Sequence, residues 1–287
     1  MRIGYQGEPG AYSEAALVAW FGEEVTAQPC TTFVDVAEGL ATGALDAAVL
    51  PVENSYAGDV GEVYDLFWRY PLLIHGEITL PVQHCLLGLP GTRLADIRRV
   101  WSHPQGLAQC REFLRQHGIT AEPVHDTAAA ARLVAEEGNR EVAAIASARA
   151  AVHYGLEILA ANIQDHKDNT TRFYIFTTPD VQSVPGPAAA RPRTDEEGRH
   201  QGKTCLLFAV KNRPGALYRC LGIFAAHHIN MTKLTSRPYP DQPWNYMFIA
   251  DIAGTVSDPA VAQALAELEE QTVLLKILGS FPTYAAL

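Results

Sequence analysis

The chain is short of basic residues and lacks the motifs on which common nucleotide and hydrolase sites are built. Lys and Arg number 22 against 32 Asp and Glu, a formal net charge of −10. A nucleic-acid surface has the opposite electrostatic sign, so no nucleic-acid partner is expected. There is no Gly-x-Ser-x-Gly, no His-Glu-x-x-His and no Gly-x-x-x-x-Gly-Lys-[Ser/Thr], which removes the nucleophile elbow, the zincin helix and the P-loop. The five cysteines, Cys30, Cys85, Cys110, Cys205 and Cys220, are odd in number and contain no Cys-x-x-Cys pair, so neither a zinc knuckle nor a disulfide framework is expected. Ten scattered histidines add no ligand spacing; neither metal nor cofactor is expected. No run of about 18 apolar residues occurs, and Met1–Gly10 has one Arg and no apolar signal core. These absences point to a soluble, cytoplasmic protein in a reducing compartment, with no membrane partner.

What is present is globular: 287 residues, 48% hydrophobic and 19% charged, enough for about two domains. The charge is uneven, with 12 basic and 22 acidic residues in 1–179 and 10 of each in 180–287. Through 1–179, strand-like runs (Arg2–Gln6, Asp46–Val52, Leu72–Leu80, Arg98–Trp101, Val142–Ala146, Arg172–Thr177) alternate with helical periods (Ser13–Phe21, Phe33–Thr42, Val60–Trp68, Pro104–His117, Thr127–Glu137, Ala148–Tyr154). That pattern predicts an α/β domain with a largely parallel sheet, and a second lobe at about 80–160. Residues 180–202 read as a Pro- and Ala-rich linker. Residues 203–287 then predict strand, helix, two strands, helix and strand: the ferredoxin-like βαββαβ order.

Four polar segments stand where strands end or helices begin, the places at which open α/β sheets collect ligands. Gly4, Gly7 and Gly10 flank the first turn, and Ser13 is a candidate cap whose helix start offers N–H groups to an anion. Glu53, Asn54 and Ser55 follow a buried run, where Asn54 provides a donor and an acceptor; the same residues also fit an Asx turn. Ser102, His103 and Pro104 open a helix that carries Gln109 about one and a half turns on. Asn169, Thr170, Thr171, Arg172 and Phe173 lead into a strand. There the Arg fork suits a carboxylate, and the Thr hydroxyl can donate to a reacting oxygen.

Taken in order, these segments resemble the prephenate dehydratase family along nearly the whole chain. Gly4–Ala16 resembles its Gly-x-x-Gly opening, Val52–Ala57 its Glu-Asn-Ser loop, Ser102–Cys110 its Ser-His-Pro-Gln helix, and Thr171-Arg172-Phe173 its Thr-Arg-Phe signature. The resemblance implies a two-lobed catalytic domain, similar to type II periplasmic binding proteins, over 1–179. It implies an ACT regulatory domain over 203–287 that binds phenylalanine. Gly215-Ala216-Leu217 stands at the family's Gly-Ala-Leu loop, and Ser236-Arg237-Pro238 at its Glu-Ser-Arg-Pro motif with Thr235 in place of Glu; Asn230 joins these as an effector contact. No chorismate-mutase-type segment precedes residue 1, so the monofunctional form is expected. ACT modules pair across subunits, so a homodimer or homotetramer is expected too.

The family reaction takes prephenate to phenylpyruvate with loss of water and carbon dioxide as the ring becomes aromatic. The resemblance implies Thr171 as donor to the leaving hydroxyl, Arg172 as carboxylate anchor, and Asn54, Ser102 and Gln109 as orienting groups. Ser13, Glu53, Ser55, Thr170 and Phe173 would contact substrate, together with backbone N–H groups near Ser13 and Ser55. Glu53 is a rival acid if it is buried. Two other readings stand beside this one. The first is arogenate dehydratase, whose substrate carries an amine in place of a keto oxygen; the second is a non-catalytic small-molecule sensor.

Overall fold

The computed structural model describes residues 1–181, 184–187, 194, 201–239 and 245–284. Most of the expected linker, and Trp244 at the start of an expected strand, lie outside them. The first elements are β1 (Arg2–Gln6), α1 (Tyr12–Phe21), β2 (Thr26–Cys30), α2 (Phe33–Ala41), β3 (Ala47–Asn54), a two-residue β4 (Gly58–Asp59), α3 (Gly61–Arg69), β5 (Leu73–Pro81) and β6 (Cys85–Gly88). Then come β7 (Arg99–Ser102), α4 (Pro104–Gln109), α5 (Arg111–His117), β8 (Thr120–Pro123), α6 (Thr127–Glu137), β9 (Val142–Ala146), α7 (Ala148–Tyr154), β10 (Glu157–Ala160) and β11 (Thr170–Thr177). The last are β12 (Gly202–Ala209), α8 (Ala216–Ala226), β13 (Met231–Pro238), β14 (Tyr246–Ala253), α9 (Pro259–Gln271) and β15 (Leu274–Pro282). They fall into two compact units, Met1–Val60 with Thr79–Phe173, and Gly61–Ile78 with Tyr174–Leu287.

The first unit is mixed α/β and holds two sheets. One runs β2-β1-β3-β11, with β4 beside β3; β1 is parallel to both β2 and β3. The other runs β10-β6-β9-β7-β8. Its β7 is parallel to β8 and β9, but β6 is antiparallel to β9 and to β10. The sheets are therefore mixed where a largely parallel one was expected, the antiparallel β10-β6 pair closing one edge, as often happens in α/β sheets. Every residue of β9 is buried, and its period of two feeds two cores. Val142, Ala144 and Ala146 face Ala130, Val134 and Ala150, while Ala143 and Ile145 face Leu107, Cys110 and Leu114.

Two helix starts differ from the sequence expectation. The N-cap of α1 is Ala11, not Ser13, and Ser13 lies buried inside the helix. The Glu14 carboxylate, in the first turn of α1, accepts from the N–H of Gly10 just ahead of the cap at 2.5 Å. The expected helix over Pro104–His117 is two helices that meet at Cys110. Asp165 is wedged there: its N–H donates to the Gln109 carbonyl at 2.7 Å and its carboxylate accepts from Glu112 N–H at 3.1 Å. Such insertion into the i→i−4 ladder is a recognised cause of a helix break.

The second unit contains the βαββαβ module, with sheet order β13-β14-β12-β15 and antiparallel pairs throughout. Leu206, Phe208, Cys220, Phe224, Ala264 and Leu268 form its core. The unit also takes in α3, β5 as far as Ile78 and the second half of β11. The Tyr174 hydroxyl donates to Asp251 at 2.8 Å, Lys203 pairs with Glu77, and Arg237 grips Asp65 through Nε at 3.0 Å and Nη2 at 2.7 Å. No helix among the described residues is long and apolar enough to cross a membrane.

Gly10 has φ +92°, and a Cβ there would come 2.6 Å from the Ala150 Cα. Gly10→Ala should therefore destabilise the protein by about 2 kcal/mol or more, read as a lowered melting temperature; an unchanged melting temperature would contradict this packing.

Candidate active site

The centre of the site is the junction of β3 and β11. Ser55 N–H donates to the Thr170 carbonyl at 2.9 Å, the Asn54 amide to Thr171 Oγ1 at 3.0 Å, and Arg172 Nη1 to Glu53 Oε2 at 2.9 Å. One partner number rises as the other falls, so the strands run antiparallel here with these pairs opposed. Successive side chains of a strand leave opposite faces. Asn54 and Thr171 therefore share one face, and Glu53 and Arg172 the other.

Asn54 is 8% exposed, and both ends of its carboxamide are engaged. Nδ2 donates among Asn169 Oδ1 at 2.8 Å, Thr171 Oγ1 at 3.0 Å and the Thr170 carbonyl at 3.1 Å. Oδ1 accepts from the N–H groups of Tyr56 at 3.1 Å and Ala57 at 3.0 Å. The Asx turn and the reach to Thr171 thus coexist in one side chain. Because Thr171 Oγ1 accepts from Asn54, the hydroxyl hydrogen of Thr171 is left to donate elsewhere.

Of the N–H groups offered by the sequence to a carboxylate, those of Ser55, Tyr56 and Ala57 bond to Thr170 and Asn54; ahead of α1, Glu14 accepts from Gly10 N–H. Glu53 is 34% exposed and pairs with Arg172, 27% exposed, so the burial on which its candidacy as an acid rested is not there. Ser55 Oγ accepts from Thr170 N–H at 3.0 Å and approaches Asn169 Oδ1 at 3.4 Å. Phe173 is buried beneath the site. Ser102 is not brought to Thr171: it is 0% exposed, and its hydroxyl donates to the Ile145 carbonyl at 2.7 Å, tying β7 to β9.

A cavity of about 270 Å³ adjoins this junction, lined by Tyr56, Ala57, Gln105, Ala108, Gln109, Gln164, Asp165, His166 and Asn169. Asn169 links it to Asn54. The Tyr56 ring stacks on His166 at 4.6 Å between centroids, and its hydroxyl donates to Asp168. That bond pushes the Tyr56 hydroxyl above its usual range and holds the Asp168 carboxyl below the usual carboxylate range. Gln109 Oε1 lies 2.7 Å from Nε2 of buried His84. Sequence reasoning put Gln109 in the site but missed the lining Gln105, Gln164 and His166. Gln105 belongs to the Ser-His-Pro-Gln run, whereas Gln164 and His166 had no motif to mark them.

The effector candidates lie in the second unit. Gly215, with φ +74°, is the N-cap of α8, Ala216 is buried, and Leu217 packs on the module's core. Asn230 accepts from Ala253 N–H at 2.9 Å. Ser236 and Pro238 are exposed along β13, while Arg237 is held by Asp65.

A family model of prephenate dehydratase matches residues 3–181, and a model of the ACT domain matches residues 206–270. The chain belongs to the prephenate dehydratase family. It is a decarboxylating carbon–oxygen lyase that takes prephenate to phenylpyruvate in aromatic amino-acid biosynthesis. An arogenate dehydratase/prephenate dehydratase of Arabidopsis thaliana is 39% identical over 98% of this chain and 73% of its own length. A prephenate dehydratase from Arthrobacter aurescens, solved in complex with L-Phe, is 31% identical with a TM-score of 0.85, covering 98% of this chain and 89% of that one. GqqA, a quorum-quenching acylase, is 39% identical with a TM-score of 0.87, covering 99% of this chain and 98% of that one.

Asn54→Ala removes the amide that orients Thr171, and kcat for prephenate should fall about tenfold to a hundredfold, consistent with the loss of one positioning hydrogen bond. Steady-state kinetics of the folded variant check this; an unchanged kcat would dissociate Asn54 from the site.

Proposed function

We propose that Thr171 donates a hydrogen bond to the departing ring hydroxyl of prephenate, with Asn54 and Asn169 holding the threonine and Gln109 holding the substrate. The observation that supports this reading is the acceptor role of Thr171 Oγ1 toward Asn54 at 3.0 Å, which leaves the hydroxyl hydrogen to donate to another oxygen. In the reaction the ring carbon–carboxylate bond breaks, and its electron pair enters the ring as the carbon–oxygen bond breaks. Carbon dioxide leaves, and the departing hydroxide takes up one proton to become water. Donation to that oxygen grows stronger as its charge develops, which makes it selective for the transition state. Arg172 anchors a carboxylate from the opposite face in exchange for part of its contact with Glu53.

The division of labour is catalysis by 1–179 and effector binding by 203–287, where phenylalanine contacts Gly215, Ala216, Leu217, Asn230, Ser236, Arg237 and Pro238. The relative solved with L-Phe supports that effector class. The protein acts in the cytoplasm as a homodimer or homotetramer; its five cysteines, all free, fit a reducing compartment.

The acylase relative raises a second chemistry, amide hydrolysis, which needs an activated nucleophile. The hydroxyls of Ser102 and Thr171 bond to the Ile145 carbonyl and to Asn54, and among the described residues neither has a histidine as partner. That favours elimination. An assay of the purified chain on prephenate, arogenate and an N-acyl amide should give its highest turnover on one of the two ring acids; faster amide cleavage would overturn the reading.

Thr171→Ala should lower kcat about a hundredfold to a thousandfold and change KM far less; an unchanged kcat would remove Thr171 from the chemistry. Arg237→Ala should raise the phenylalanine concentration for half-inhibition about tenfold, as loss of a charged hydrogen-bond donor would. Unaltered sensitivity would place the effector elsewhere.

A further inference from the structure

A glutamine that faces a substrate presents either its carbonyl oxygen or its NH2, and the two have opposite consequences for a substrate bearing two carboxylates. In a segment with 22 acidic and 12 basic residues, and with Asp165 already lining the cavity, an inward carbonyl would repel such a ligand. The groups behind Gln109 decide the matter.

His84 stands behind it, 2% exposed, between β5 and β6. Its backbone is held on both sides: its N–H donates to Gln164 Oε1 at 2.9 Å, and its carbonyl accepts from Ile163 N–H at 3.0 Å. Nδ1 lies 3.0 Å from the Tyr12 hydroxyl and Nε2 lies 2.7 Å from Gln109 Oε1. The Tyr12 and His84 rings meet edge to face at 5.7 Å. Burial lowers the pKa of His84, against a smaller opposing effect of the Gln109 bond, and raises that of Tyr12 well above the usual phenol range. The tyrosine therefore keeps its hydrogen and donates it to the Gln83 carbonyl at 2.7 Å, with its oxygen 3.0 Å from His84 Nδ1. The Gln109 oxygen 2.7 Å from Nε2 can only accept, so the imidazole hydrogen belongs on Nε2.

We propose that His84 is a positioning residue that holds Gln109 by its carbonyl oxygen, so that the Gln109 NH2 faces the cavity as a donor to an oxygen of the bound substrate. The inference rests on the reading above that Gln109 touches substrate, and it adds which end of the amide does so and why.

The test is a set of full-length variants assayed on prephenate, with circular dichroism and melting temperature recorded for each. His84→Leu should lower kcat/KM roughly tenfold. His84→Gln, whose amide nitrogen reaches toward the place of Nε2 and still donates, should restore most of that loss. In a Gln109→Ala background, His84→Leu should cost nothing further, because a group that acts only through Gln109 has nothing left to orient. Multiplicative losses in the double variant, or failure of His84→Gln to rescue, would overturn the proposal in favour of a purely structural histidine. If Gln109→Ala alone leaves kcat/KM unchanged, the reading of Gln109 falls and takes this inference with it. Losses from Gln109→Ala without any from His84→Leu would sink the inference alone. Should His84→Leu not fold, His84→Asn, whose shorter amide falls short of Gln109, decides: a loss of kcat/KM that is present with Gln109 intact and absent in the Gln109→Ala background supports the positioning role, and equal losses in both backgrounds reject it.

Discussion

The site depends on one carboxamide. Asn54 ends a strand that is buried for most of its length, and its single side chain closes the turn after that strand and bonds the first residues of β11. Buried amides are costly unless both ends are satisfied. Here the partners on one side are backbone N–H groups of the turn, and on the other Asn169, Thr170 and Thr171. The loop and β11 are consequently set in register by the same group that bonds the Thr171 hydroxyl oxygen. Preorganisation of this kind is what makes a hydroxyl, a weak acid by itself, useful against a developing negative oxygen.

A second constraint is electrostatic. A dianionic substrate has to enter a segment of excess negative charge, yet the turn amides of Tyr56 and Ala57, of the kind that usually receive anions, are filled by the protein's own acceptor, Asn54. Arg172 carries the positive charge at the junction, and it lies across the strand from Thr171 in partnership with Glu53. The chemistry of the two faces of β11 is thus separated by the pleat: hydroxyl and amide on one side, guanidinium and carboxylate on the other. Neutral donors such as Asn169 and Gln109 then weigh more in recognition than composition alone suggests.

Much of this was legible in the sequence because it follows from periodicity. β1, β9, α6 and α7 lie where alternation, capping residues and terminal glycines put them. The family motifs brought Asn54, Thr171, Arg172 and Gln109 into one neighbourhood before any coordinates did. Hidden were the short edge strands: β2 contains Pro29, β8 ends on Pro123, and β10 has only four residues, so none offers a clear period of two. Tertiary contacts decided the other differences. Ser13 looked like a cap because caps are judged from the nearest hydroxyl, while the helix begins earlier, after Ala11. Ser102 stood in a motif with candidate site residues, but its hydroxyl donates to the Ile145 carbonyl of β9. The helix broke at Cys110 because of Asp165, more than fifty residues away in sequence.

That wedge has a consequence for what the enzyme tolerates. Asp165 is fastened to the backbone at Gln109 and Glu112, and four residues later the same stretch supplies Asn169. Two walls of the cavity are therefore rungs of one ladder, and the gap between them cannot be widened by turning a side chain. A bulkier analogue would have to be admitted past Tyr56 and Ala57, where the half-exposed tyrosine ring is held only by side-chain contacts with His166 and Asp168. Efforts to broaden the range of ring acids accepted should begin there and leave the glutamine wall alone.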